Sequence, residues 1–228
     1  LGEPADSERR QRPGIYHAEI FGPEGRRVQI ILLDTRTFKS PPFLADRPEG
    51  ASGSLGKYAP NTDPAATLLG PAQWAWLEEQ LIKPAEVRLL CSSGQVVADQ
   101  KGMDEWGNYP GERRRLFDLV AATGAGGVVI LSGNVHFAEL SATEEGPYPL
   151  FDFTASGLTH VEEEYARHPN PRRVAGPLTS LNFGLVTIDW ENPGGTRMIL
   201  ESRDMSGKIA FKHLVNLEDL ANSKDGPP

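Results

Sequence analysis

Apolar residues gather in short runs separated by turn-forming residues. Residues 15–21 and 28–33 predict two strands around the turn Gly22-Pro23-Glu24-Gly25. The second run, Val28-Gln29-Ile30-Ile31-Leu32-Leu33, is almost continuously apolar, as in a strand buried on both faces. Residues 39–66 carry Pro, Gly, Ser and Asp with no period, and a loop that long is functional or mobile. Residues 67–83 predict a helix with Leu68, Trp74, Leu77 and Leu81 on one face, Pro71 near its start and Pro84 ending it. Further apolar runs predict strands at 87–90, 128–131, 150–154 and 183–190, and residues 112–122 predict a second helix with Arg113 to Arg115 outward. Residues 162–179 are expected to be a polar loop. Residues 197–203 and 208–215, around Met205-Ser206-Gly207, predict a hairpin.

Helices alternate with strands only in the middle of the chain. That order predicts an α/β or α+β protein with a mixed sheet covered by helices on one face. At about 150 residues per domain, 228 residues make one domain or one and a half. Residues 1–13 are expected to be a linker or the remnant of a preceding element, 14–220 the domain, and 221–228 a disordered tail. The 24 glycines and 19 prolines exceed average usage of about 7% and 5%, which favours loops over a helix bundle.

The net charge of −8 disfavours nucleic-acid binding, which needs a basic surface. One cysteine, Cys91, excludes an internal disulfide and a cysteine-based zinc cluster. No run of about 18 apolar residues is present to span a membrane.

Candidate chemistry lies just after apolar runs, where ligand sites of layered α/β proteins sit. Ser132-Gly133-Asn134-Val135-His136 follows one of them. In an extended segment Asn134 and His136 would point the same way, towards a metal or a substrate, and a hydrogen-bonded turn histidine is the alternative. Ser92-Ser93-Gly94-Gln95 repeats the placement, with Gln95 able to donate and accept; ordinary turn chemistry is the alternative. Arg36, in Asp34-Thr35-Arg36, could clamp a phosphate or pair with Asp34 to order the next loop. Residues 106–113 would form a rim over a substrate or a packing motif at the start of a helix. His160 closes the turn after Thr154-Ala155-Ser156-Gly157. No Gly-x-Ser-x-Gly elbow, Walker motif or dinucleotide glycine pattern occurs.

Taken in order, Gly14-Ile15-Tyr16-His17, Ile31 to Arg36, Leu69-Gly70-Pro71-Ala72-Gln73-Trp74, Ser92 to Gln95, Trp106 to Arg113, Leu131 to Glu139, Thr154 to His160 and Asn182-Phe183-Gly184 resemble the C-terminal half of the alkaline phosphatase D (PhoD-like) metallophosphatases. The resemblance implies the second half of a calcineurin-like metallophosphoesterase sandwich. It also implies hydrolysis of small-molecule phosphate esters with bound metal ions, iron with calcium in the best-known branch. His136 and Asn134 map onto the family's late metal motif, with Asn134 in the place of an aspartate. Asn134 and Gln95 are the candidate catalytic residues, and Arg36 and His160 the candidate substrate ligands. An early aspartate motif and a Trp-Asp-Asp-His segment are absent from the chain, so the resemblance implies a partial enzyme that needs its N-terminal half. An exported location is expected on the same ground. An inactive phosphate- or ligand-binding relative is the alternative that Asn134 raises.

Overall fold

The computed structural model describes residues 3–46 and 56–222. The elements are α1 (Glu8–Gln11), β1 (His17–Phe21), β2 (Val28–Leu32), β3 (Phe43–Leu44), β4 (Tyr58–Ala59), α2 (Gly70–Ile82), β5 (Val87–Cys91), α3 (Pro110–Ala122), β6 (Val128–Ser132), β7 (Ala138–Thr143), β8 (Leu150–Ala155), α4 (Glu163–Ala166), β9 (Arg173–Leu178), β10 (Asn182–Asp189), β11 (Arg197–Asp204) and β12 (Ile209–Asn216). Seven strands form a mixed sheet in the order β1-β2-β5-β6-β8-β7-β9. Its central strands β2, β5, β6 and β8 run parallel. β1 is antiparallel to β2, and β7 is antiparallel to both β8 and β9.

The connections β2–α2–β5 and β5–α3–β6 both step to the next parallel strand in the same direction. Right-handed crossovers then place both helices on one face of the sheet. Trp74, Leu77 and Leu81 of α2 and Leu116, Phe117 and Val120 of α3 are buried there with Ile31, Leu90 and Ile130. The other face meets the antiparallel sheet β10-β11-β12, through ring contacts of Phe151 with His213 and Phe153 with Phe211. The mixed α/β architecture therefore agrees with the sequence reading.

Several local expectations are corrected. β2 is buried on one face only: Gln29 and Ile31 are fully covered, whereas Leu32 is 41% exposed. α2 covers the first face, where the Gln29 side chain donates to the Gln80 carbonyl (2.9 Å). The three-stranded sheet lies against the β8 end of the opposite face and leaves Leu32 to solvent. The expected polar loop at 162–179 contains α4 and β9. Within residues 1–13, expected as a linker or the remnant of a preceding element, residues 8–11 form a short helix capped by Ser7, which leaves that expectation open. Arg113 is not outward but buried, donating to the carbonyls of Val96 (2.8 Å) and Val97 (3.2 Å) and pairing with Glu145 (2.7 Å). Of the expected long loop, residues 47–55 lie outside the described residues, and its flanks pair as β3 and β4. Of the expected tail, residues 223–228 also lie outside them. Among the described residues no helix is long and apolar enough to cross a membrane.

At the helix start Leu69 gives no side-chain cap; the Gly70 amide is met by the Thr67 hydroxyl (2.8 Å), and the two amides before it are met from α3. The Glu112 carboxylate accepts the Leu68 amide (2.7 Å), the Leu69 amide (3.3 Å), the Thr67 hydroxyl (2.9 Å) and the Trp74 indole N–H (2.8 Å). One side chain thereby locks α2 to α3. Gln73 locks the same helix to β2 by exchanging two bonds, both 2.8 Å, with the Asp34 backbone. Substituting Glu112→Ala strands these donors and should cost about 2–4 kcal/mol. Glu112→Gln, which keeps one acceptor, should cost less. Urea unfolding checks both, and an unchanged midpoint in Glu112→Ala would contradict the assignment.

Candidate functional site

The loops that follow β2, β5, β6 and β8 meet beyond the carboxyl ends of these parallel strands, where open α/β sheets place their ligands. After β6 the chain bends at once. Asn134 and His136 both take left-handed backbone angles, φ 78° and 60°. The segment is thus not extended, and the sequence argument for a shared direction fails. The two side chains nevertheless line one cleft, because left-handed residues on either side of Val135 fold the loop back on itself. Such angles cost about 1–3 kcal/mol each outside glycine. They are held by bonds from the His136 amide to the Ser156 hydroxyl (2.9 Å), from the Glu162 amide to the His136 carbonyl (3.0 Å), and from the Asn134 amide group to the Asp104 carbonyl (3.2 Å).

The cleft has a volume of about 470 Å³ and is walled by Lys57, Tyr58, Met103, Asp104, Asn134, His136 and Tyr165. His160 is exposed and stands edge-on to the His136 ring, with centroids 4.9 Å apart. The His136 Nδ1 atom is buried without a partner.

Asp104 joins the loops. Its carboxylate accepts from Arg36, and from Lys39 at 2.6 Å, while its carbonyl receives Asn134. Burial alone would raise this carboxyl. The Lys39 hydrogen bond and the charges of Lys39 and Arg36 outweigh burial and hold it below its ordinary value. The pairing expected between Asp34 and the Arg36 guanidinium is replaced by this one. Asp34 does order its loop, through the amides of Ile15 (3.0 Å), Arg36 (2.9 Å) and Thr37 (2.9 Å).

Gln95 does not join the cleft. It is 1% exposed, and its amide points into the sheet. It donates to Glu139 (2.8 Å) and Thr154 (2.9 Å) and accepts from the Lys101 ammonium (2.5 Å). Lys101 also bonds Glu139 at 2.5 Å, and Arg173 reaches the second Glu139 oxygen at 2.7 Å. Trp106 and Tyr109 are likewise buried, so residues 106–113 pack rather than form a rim.

Of the sequence candidates, then, Asn134 and His136 line the cleft, His160 stands against His136, Arg36 is connected to it only through Asp104, and Gln95 lies apart. Asp104, Lys39, Tyr58 and Tyr165 were not singled out from the sequence. Asp104 sits just before Trp106 with no motif of its own, and its role follows only from partners far away in the chain.

A family model described as PhoD-like phosphatase matches residues 16–171. The chain belongs to the PhoD-like phosphatase family. Alkaline phosphatase D of Bacillus subtilis (strain 168) is 26% identical over 121 residues, which are 49% of this chain and 20% of that protein. A solved structure of PhoD matches with a TM-score of 0.55 at 18% identity, covering 87% of this chain and 40% of that one. The chain thus spans about a fifth of the curated relative and two fifths of the solved one, and the structural match carries the fold. Arg36, Asp104, Asn134, His136, His160 and Tyr165 all fall within the span of the family model.

The donors present do not complete a metal site. Among the described residues no group of three or more His, Cys, Asp and Glu side chains is arranged to hold an ion. In and beside the cleft stand the buried, unpartnered His136 Nδ1, the exposed His160 ring and the Asn134 amide, while the Asp104 carboxylate is taken up by Arg36 and Lys39. These residues alone do not fit the iron and calcium that the resemblance implies.

The loop carrying Asp104 has a titratable anchor. Glu105 is 4% exposed; its Oε1 accepts the amides of Lys101 (2.8 Å) and Gly102 (2.9 Å), and its Oε2 is buried without a partner. Burial pushes its carboxyl from 4.5 up to about 7, against the nearby Lys101 charge and the two amides. The folded chain therefore holds this proton more tightly than the unfolded chain does. Its contribution to stability is complete below pH 4.5 and is lost as pH rises through about 7. Glu105→Gln should flatten that loss. The thermal midpoint of the native chain should fall relative to the variant between about pH 5 and about pH 8, and parallel curves would refute the assignment.

Proposed function

We propose that this chain is part of a longer phosphoric ester hydrolase of the alkaline phosphatase or phosphodiesterase type, and that the cleft around His136 is one wall of its active site. The observation that carries the reading is the family match over residues 16–171, whose span contains every residue gathered at the strand ends. The substrate is proposed to be a small-molecule phosphate ester. In this reading Arg36, fixed by Asp104, binds a phosphate oxygen, since a guanidinium matches phosphate geometry and stays charged at any working pH. His160 contacts the ester from the rim. Asn134 orients a phosphoryl oxygen through its amide.

The metal dependence implied by the resemblance belongs to the same proposal. His136 would supply one ligand through its unpartnered nitrogen, with the remaining ligands coming from outside the described residues. No step of hydrolysis is assigned to a metal here, because the residues present do not build its site. An exported location goes with this reading, and cell fractionation tests it.

One observation favours the second reading, a ligand-binding relative without turnover. The Asn134 amide donates to the Asp104 carbonyl, which an aspartate at that position could not do. The loop is therefore built around the amide, and restoring a carboxylate would set two oxygens against each other.

The test uses the protein from its whole reading frame, assayed on p-nitrophenyl phosphate and bis-p-nitrophenyl phosphate with iron and calcium supplied. Turnover is expected, and His136→Ala should lower both turnover and bound metal by about 10–100-fold, the loss typical of disturbed metal sites. Unchanged metal content by elemental analysis would remove His136 from the ligand set. No turnover by the native protein or by Asn134→Asp, with inorganic phosphate bound by the native protein in calorimetry, would favour the ligand-binding reading.

A further inference from the structure

The cleft is lined by two chemically different sets of side chains. One is polar: Asp104, Asn134 and His136. The other is the half-buried Tyr58, Met103 and Tyr165, with exposed Lys57 beside Tyr58. A phosphate needs only the first set, and about 470 Å³ lies within the range of about 300–1,000 Å³ typical of sites for whole organic ligands.

The second set is held in place by its neighbours. Tyr165 and Met103 pack on the buried cluster Val135, Phe137 and Ala166, so they share a base with the loop that carries His136. The bond from the Glu162 amide to the His136 carbonyl ties α4 to the same loop, and the Tyr165 and His136 rings lie 6.4 Å apart at 36°. The Tyr58 amide donates to the Gly102 carbonyl (3.0 Å), next to Met103 in the chain. Gly102 has φ 63°, and a Cβ there would stand 2.9 Å from the Tyr58 carbonyl, so only glycine allows this approach. The Lys57 ammonium lies 5.4 Å from the Tyr58 ring. Two half-buried phenol rings and a thioether offer a flat, polarisable slot. Such walls favour an aromatic substituent over a hydrated polyol, through ring–ring and sulfur–ring contacts.

We propose that Tyr165, Tyr58 and Met103 form a leaving-group subsite that selects phosphate esters of aromatic alcohols. This rests on the phosphatase reading above and names its substrate class. Tyr165 is a specificity residue: it touches the departing group and not the phosphorus.

The experiment compares phenyl phosphate with glycerol phosphate, using the protein from its whole reading frame. The ratio of kcat/KM for the aromatic ester to that for the polyol ester should fall about threefold to tenfold in Tyr165→Ser, the worth of one aromatic contact. The loss should lie mainly in KM, and Tyr165→Phe, which keeps the ring, should restore the ratio. Tyr58→Ser, on a separate element, should move the ratio the same way and guards against a folding defect in the first variant. A ratio unchanged in both serine variants, or a Tyr165→Phe ratio as low as that of Tyr165→Ser, would overturn the subsite. If the native protein hydrolyses neither monoester nor bis-p-nitrophenyl phosphate, the hydrolase reading fails, and binding by calorimetry decides the subsite separately. Phenylphosphonate bound more tightly than methylphosphonate, with the preference lost in Tyr165→Ser, would support it; equal binding or none would overturn it.

Discussion

Glu139 is fully buried on β7, and a lone carboxylate in that position would not survive folding as an anion. Burial pushes its carboxyl up, and the Lys101 charge and bonds from Lys101, Arg173 and Gln95 more than offset this and hold it low. Removing one partner of such a buried pair typically costs about 3–5 kcal/mol, because the other charge remains in the interior. Those partners come from three different places: the loop after β5 supplies Gln95 and Lys101, β9 supplies Arg173, and the turn before β9 adds Asn170 at 3.1 Å. The charge on β7 therefore dictates the course of the loop between β5 and α3. Asp152, next to it on β8, is pushed up by burial and by the Glu139 charge, while its carboxyl receives the amides of Val96 (2.7 Å) and Val97 (2.9 Å). Two neighbouring acids with opposite shifts thus clamp the same loop.

What that loop delivers is Asp104. With Lys101 pinned inside the sheet, Gly102 turns the chain at φ 63° and pairs with Tyr58. Glu105 then receives the amides of Lys101 and Gly102 and closes the turn. Asp104, between them, projects between the loop after β2, which brings Arg36 and Lys39, and the loop after β6, which brings Asn134. The buried charge and the surface cleft belong to one chain of constraints. A fault at Glu139 would reach the cleft without touching it.

The parts of this arrangement that can be read from the sequence are those that depend on local pattern. The strand at 128–132 and the chemistry after it are legible because an apolar run ends in Ser-Gly-Asn-Val-His. The helix at 70–82 is legible from its apolar stripe and its two prolines. β7 alternates Ala138, Leu140 and Ala142 with Glu139, Ser141 and Thr143, but its apolar side is mostly alanine and its polar side is buried rather than solvated, so the strand does not stand out in the sequence. β9 carries Gly176 and Pro177 at the sheet edge and looks like a loop for that reason. Gln95 shows the limit most plainly. Its placement after a strand is the same as that of Asn134, and nothing local says that one amide points into the cleft and the other into the sheet. That choice belongs to Glu139, 44 positions away in the chain. The family motifs supplied a place for Asn134 and His136 but not for Asp104, whose partners lie 30 to 68 positions off.

The charge balance around Asp104 narrows what the cleft can hold. One carboxylate stands against the Arg36 guanidinium and the Lys39 ammonium, which leaves the cluster one positive charge in excess. Exposed Lys57, beside Tyr58, adds another. An anion can use that excess, and a guanidinium already oriented by a carboxylate loses little freedom on binding a phosphate oxygen. A cation is repelled by the same excess and finds only an imidazole nitrogen and a neutral amide on the side of His136. Among the described residues, the charges around Asp104 therefore suit an anion better than a cation. Any ion seated beside His136 must draw its anionic ligands from elsewhere, and those ligands must also outweigh the positive side of this cleft.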